Sequence, residues 1–156
     1  WIAGDPLEVM AYANKKMLRY IPTDDCTISI LKFPHEVIGK VFVSIGCKRD
    51  YTMRSAFYGS KGTIVADNTS PFITLYQESL NGGELFGCGT EEIPIRYPVA
   101  LGNHNTIGEI ADFVEAIVTG KPVKTDALQG AATVAACLAV LDSVRLGAPV
   151  RPDYAF

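Results

Sequence analysis

Lys48, Arg49, Asp50, Tyr51 and Arg54 follow directly on a long apolar run. Ammonium, guanidinium and phenol groups at a strand end can orient a hydroxylated or carboxylated ligand through charge-assisted hydrogen bonds. Taken alone, the cluster reads as a solvated charged turn. The chain has two histidines. His35 falls in a turn, where simple solvation accounts for it. His104, in Asn103-His104-Asn105, precedes a helix, where capping or loop packing competes with a role in a site. No H-E-x-x-H spacing is present, and Cys26, Cys47, Cys88 and Cys137 form no C-x-x-C pair, so neither a metal site nor a redox motif is indicated. No G-x-S-x-G run marks a nucleophile. A dinucleotide cradle needs G-x-G-x-x-G between a strand and a helix, where backbone N–H groups approach the pyrophosphate. Gly87-Cys88-Gly89-Thr90-Glu91-Glu92 lacks the third glycine and precedes a strand. Gly59-Ser60-Lys61-Gly62 lacks phosphate-loop spacing and reads as a hairpin turn with two residues free to take positive φ. The residues alone therefore nominate no catalytic, cofactor-binding or metal-ligating group.

The elements that must carry these residues change character along the chain. Leu7 to Lys15 alternates apolar and polar residues, the period of a half-buried strand. Thr27 to Phe33 alternates again, with Ile28 and Ile30 on one face. Pro34-His35-Glu36 joins it tightly to the long apolar run Val37 to Cys47, giving a hairpin. Strands are also expected over Tyr51 to Tyr58, Thr63 to Ala66, Phe72 to Gln77 and Glu92 to Tyr97, with a glycine-rich stretch from Asn81 to Gly89. Asp24-Asp25 reads as a loop that stabilises its own turn.

After Pro98 the period becomes helical. Ile107, Ile110, Ala111, Val114, Ile117 and Val118 fall on one helix face. Thr106 and Glu109 have capping-box spacing, and Gly120 with Pro122 closes the far end. A second, alanine-rich helix runs from about Asp126 to Leu146, with Asp126 and Gln129 as its cap and Gly147 at its end. It is apolar on most sides, as a helix between a sheet and another layer would be. Ala148 to Phe156 is expected as an extended strap. The fold class is α+β: an open-faced, mostly antiparallel mixed sheet of about six strands with helices packed on one face. The other face is expected to meet another subunit.

The 156 residues suggest one domain, long enough to bury roughly two-thirds of its unfolded surface. With a net charge of -3 there is no basic footprint, which argues against nucleic acid. No uninterrupted apolar stretch reaches the roughly 18 residues of a membrane span. The four cysteines read as reduced thiols, which points to the cytoplasm. The start at Trp1, with no signal peptide in view, suggests a piece of a longer protein.

Across almost its whole length the chain resembles the carboxy-terminal domain of the glucose-fructose oxidoreductase, inositol dehydrogenase and rhizopine-catabolism family (Gfo/Idh/MocA). The pieces that carry the resemblance come in the family's order. Trp1-x-x-Gly4 with Pro6 and Val9-x-Ala11 is similar to the exit from a long helix into the first strand. Asp24-Asp25, Thr27 to Phe33 and Gly39 resemble the central hairpin. Phe57-Tyr58-Gly59-Ser60-Lys61-Gly62-Thr63-Ile64 resembles a recurrent turn. His104 to Thr119 with Gly120-Lys121-Pro122-Val123, and then Gly130, Ser143, Gly147, Pro149 and Val150, resemble the last two helices and the tail.

The resemblance implies an open-faced sandwich like the carboxy-terminal domain of glyceraldehyde-phosphate dehydrogenase. It implies hydride transfer between NAD or NADP and a hydroxyl carbon of a sugar or polyol in the full-length protein. The family's lysine, and its D-x-x-x-H aspartate and histidine, lie before Trp1. Residues 1–156 would thus form a substrate-binding and oligomerisation domain without its amino-terminal Rossmann domain, and would be inactive alone. No catalytic, cofactor or metal residue is assigned to it, and no cofactor is expected in this piece. By position, Lys48, Arg49, Tyr51 and His104 would line the substrate pocket. The implied partners are the protein's own Rossmann domain, a small-molecule substrate, and further copies in a homodimer or homotetramer through the open sheet face, with neither nucleic acid nor membrane. A free-standing oligomerisation or ligand-binding module is the alternative.

Overall fold

A computed structural model describes residues 2–77, 94–101, 104–123 and 125–156. Cys88, Asn103 and the glycine-rich stretch through Gly89 lie outside the described residues. The chain divides into two compact units, Trp1–Lys48 with Asp112–Phe156, and Arg49–Ala111.

In the first unit, β1 (Glu8–Asn14), β2 (Cys26–Lys32) and β3 (Ile38–Ser44) form an antiparallel sheet in that order. The register sets Tyr12 opposite Ile28 and Ile28 opposite Phe42. Because side chains alternate, one face carries Tyr12, Ile28, Ile30, Ile38 and Phe42, which are 41–74% exposed. The other face carries Val9, Ala11 and Ser29, all buried. The helix α2 (Ala127–Leu146) packs on β1 at this face. It buries Ala135, Ala139 and Ser143, spaced four apart, so small side chains bring helix and strand close. Leu128, Val134, Leu138 and Leu141 remain 54–64% exposed. The helix is therefore covered on one side by the described residues rather than sandwiched between two layers. Its 20 residues and mean hydropathy of 1.6 are long and apolar enough for a membrane span, although no uninterrupted apolar run is. Its small-residue stripe is the face that packs against β1.

Both ends of α2 follow local chemistry. The Asp126 carboxylate accepts the Gln129 N–H at 2.9 Å, and Gly147 closes the helix at φ 65°. The strap returns beside β1 through the Val9↔Val150 bridge. Further along it, the Tyr154 hydroxyl donates to the Pro6 carbonyl at 2.9 Å. Burial, then the nearby Asp5 charge, push the Tyr154 phenol pKa up.

The β2–β3 connection holds His35 and Glu36 at φ 58° and 60°, a conformation that side chains disfavour. Replacing His35-Glu36 by Asn-Gly is expected to stabilise the protein by about 1 kcal/mol, relief of strain being partly offset by glycine's greater unfolded freedom. Urea denaturation checks this, and an unchanged or lowered midpoint would refute it.

The second unit holds β4 (Arg54–Gly59), β5 (Gly62–Asp67), β6 (Phe72–Gln77) and β7 (Ile95–Pro98), antiparallel in that order. The α+β class stands; among the described residues the expected mixed sheet of about six strands is seven strands in two antiparallel sheets. The reason lies between β3 and β4. The strand expected to reach Cys47 ends at Ser44, and the one expected from Tyr51 begins at Arg54. Neither Gly59 nor Gly62 takes positive φ. Gly62 is needed for space instead, because a Cβ there would run into the Tyr76 carbonyl oxygen.

The helix α1 (Thr106–Thr119) begins as expected, but its cap is Asn105, not Thr106. Asn105 Oδ1 accepts the Gly108 N–H at 3.1 Å. The stripe residues Ile107, Ile117 and Val118 are 67–84% exposed, and Ala116, off that stripe, is the buried one.

Candidate functional site

Two of the four proposed pocket residues are brought together. The rings of Tyr51 and His104, distant in sequence, lie with centroids 5.8 Å apart and planes tilted by 41°. Both residues are exposed. Tyr51 sits just before β4, and its hydroxyl donates to Met53 Sδ at 3.9 Å. His104 sits just before α1, next to the capping Asn105, whose carbonyl also accepts the Glu109 N–H at 3.0 Å. Arg49 belongs to the same compact unit and is exposed. Lys48 ends the first segment of the other unit. Among the described residues, neither cation forms an ion pair or a side-chain hydrogen bond. The structure therefore joins the phenol and the imidazole and leaves the two cations at a unit boundary.

The residue that sequence reasoning missed is Asn68. Its Oδ1 accepts the Met53 N–H at 2.8 Å and its Nδ2 donates to the Tyr51 carbonyl at 3.1 Å. The available signal was an asparagine just past a strand, in Asp67-Asn68-Thr69, where side-chain-to-backbone bonding is common. Asp67 beside it is firmly held. Its carboxylate accepts the Thr69 hydroxyl at 2.6 Å, the Thr69 N–H at 2.9 Å, and Arg54 Nη2 at 3.0 Å. The Thr69 bonds first, then Arg54, bring its pKa down to about 2. Arg54, grouped with the cations in the sequence, is thus engaged in this ion pair.

A phenol and an imidazole side by side present both hydrogen-bonding atoms and apolar ring faces. That combination suits a polyhydroxylated ligand with C–H-rich faces.

No protein-family model matches the chain, and no curated protein matches it. Solved structures do. An oxidoreductase domain protein from Kribbella flavida superposes with a TM-score of 0.77 over 97% of this chain and 46% of its own, at 17% identity. Levoglucosan dehydrogenase, in complex with NADH and L-sorbose, gives 0.77 over 96% and 45%, also at 17% identity. The WlbA dehydrogenase from Bordetella pertussis, in complex with NADH and UDP-GlcNAcA, gives 0.68 over 97% and 40%, at 17% identity. The chain has the fold of the carboxy-terminal domain of Gfo/Idh/MocA-type oxidoreductases. It spans less than half the length of these three proteins.

The turn between Gly59 and Gly62 does not offer the cradle a nicotinamide dinucleotide needs. Gly59 and Gly62 flank a β-hairpin turn, so their backbone amides do not open a helix as a pyrophosphate cradle requires. Gly87 and Gly89 lie outside the described residues. No chemical step is therefore assigned to this domain through the cofactor.

Proposed function

We propose that this chain is the carboxy-terminal substrate and assembly domain of an NAD(P)-dependent oxidoreductase of the sugar or polyol dehydrogenase type. In this reading it works in the cytoplasm with a Rossmann domain of the same protein, which holds NAD or NADP and the reacting residues. The reaction is hydride transfer between nicotinamide and a hydroxyl-bearing carbon. The observation that carries the proposal is backbone agreement over 96–97% of the chain with dehydrogenases solved together with NADH and a sugar or sugar nucleotide. Tyr51 and His104 form one wall of the substrate pocket. Lys48 and Arg49 supply the cations that grip a hydroxyl or carboxylate at its edge. The exposed apolar face of Tyr12, Ile28, Ile30, Ile38 and Phe42 supports assembly into a homodimer or homotetramer, because a broad apolar face seldom stays bare in water. The reduced cysteines Cys26, Cys47 and Cys137 are consistent with the cytoplasm.

Calorimetric titration with NADH and NADPH tests the division of labour. The 156-residue chain is expected to give no saturable heat, and the full-length protein to bind one cofactor per subunit and reduce NAD(P) in the presence of a sugar. Saturable one-site binding by the chain itself would move the cofactor site here and overturn the proposal. Sedimentation showing only monomer at high concentration would sink the assembly role.

A further inference from the structure

Asn68 makes with residues 51–53 the hydrogen bonds that a paired strand would make. Its backbone N–H donates to the Met53 carbonyl at 3.2 Å, while its side-chain amide accepts from Met53 N–H and donates to the Tyr51 carbonyl. The last register pair of the two strands is Arg54↔Asp67. A side-chain amide thus prolongs the β4–β5 ladder beyond its last backbone pair. It leaves from a corner made stiff by the Asp67–Thr69 and Asp67–Arg54 bonds. Met53, held by Asn68, in turn accepts the Tyr51 phenol proton on its sulfur. Only an amide offers a donor and an acceptor in one plane here; a carboxylate lacks the donor and alanine lacks both.

We infer that Asn68 is a positioning residue for sugar binding: it sets the direction in which Tyr51 leaves the sheet and so holds the phenol ring against His104. This inference rests on the Tyr51–His104 wall proposed above. It adds a residue that acts through the Tyr51 and Met53 backbone.

The imidazole Cε1–H signals of His104 and His35, assigned in the full-length protein by His104→Gln and His35→Gln variants, are followed by proton NMR, with His35 as an internal control. In the full-length protein, Tyr51→Ala is expected to shift the His104 signal by removing the neighbouring ring. Asn68→Ala is expected to shift it towards the same position with His35 unmoved, and the double variant to add nothing further. Asn68→Asp, which keeps the acceptor alone, is expected to lie between Asn68→Ala and the native protein. Titration with D-glucose and with myo-inositol, read on the same signal, is expected to show saturable movement in the native protein and about tenfold weaker binding in each alanine variant, the equivalent of about 1.4 kcal/mol.

An unmoved His104 signal in Asn68→Ala overturns the inference while leaving the wall intact. If Asn68→Ala fails to fold, an unmoved signal in Asn68→Asp overturns it equally. Sugar affinity unchanged by Tyr51→Ala, or native His104 unmoved by both sugars, overturns the wall and with it the binding role of Asn68.

Discussion

Replacing Ser143 by alanine is expected to cost about 2 kcal/mol of folding stability, and replacing it by valine more, because a buried N–H and a half-buried carbonyl lose their partner. Ser143 is 0% exposed at the α2–β1 contact. Its Oγ accepts the Ala11 N–H at 2.9 Å and donates to the Ala148 carbonyl at 2.8 Å. One hydroxyl therefore joins the last helix, the central face of β1 and the start of the strap. Ala11 belongs to a strand and is held on one side by β2, so its N–H towards the helix finds no water when the hydroxyl is gone. Valine adds a methyl group where small side chains set the helix-to-strand distance, which forces the contact apart. Urea denaturation with an unchanged slope would measure the loss. A change below about 1 kcal/mol would mean that a water molecule replaces the hydroxyl and that the clamp is not a buried one. Against the roughly 5–15 kcal/mol of a typical domain, the expected loss is a large fraction.

The second large effect is expected at Asp25. Its side chain is 3% exposed, and its carboxylate accepts the N–H groups of Leu18 at 2.7 Å, Met17 at 2.6 Å and Lys16 at 3.1 Å. The Leu18 bond leads in lowering its pKa, burial opposes it, and the Met17 and Lys16 bonds and the Lys15 charge add to the lowering. The whole β1–β2 connection is thus wound around one negative charge, with the Lys15 ammonium donating to the Ile21 carbonyl at 2.8 Å. Asp25→Ala is expected to be the most damaging carboxylate substitution in the chain. Asp25→Asn should be intermediate, since an amide keeps one acceptor and turns a donor towards N–H groups. The pH dependence follows from the sign of the shift. A lowered folded pKa means that the stabilisation is fully present above the ordinary aspartate pKa and is lost as pH falls through the lowered value. The stability gap between the native protein and Asp25→Asn is therefore expected to be widest near neutrality and to close on acidification. Thermal midpoints measured down the acid range check this, together with hydrogen exchange at Lys16, Met17 and Leu18. A gap that stays constant, or exchange that does not quicken in Asp25→Asn, would rule the carboxylate out as the organiser of this loop.

The sequence by itself determined those parts of the protein whose causes lie within a few residues. Alternation in Leu7–Lys15 and Thr27–Phe33 marked β1 and β2 and placed Ile28 and Ile30 on one face, because side chains on a strand alternate whatever it pairs with. Asp126 and Gly147 marked the ends of α2, because capping bonds close over three or four residues. The ordered run of motifs from Trp1 to Val150 was enough to suggest the fold that the superpositions share. Tertiary structure alone decided the rest. It divided the strands between two sheets and made Gly62 a matter of clearance from Tyr76 rather than of φ. It placed Tyr51 against His104 and left Lys48 and Arg49 at the boundary between the two units. It also assigned roles to Ser143 and Asn68, whose partners lie on other elements. Such contacts are set by which strand pairs with which and how a helix seats on them, and each residue's local sequence is compatible with many such arrangements.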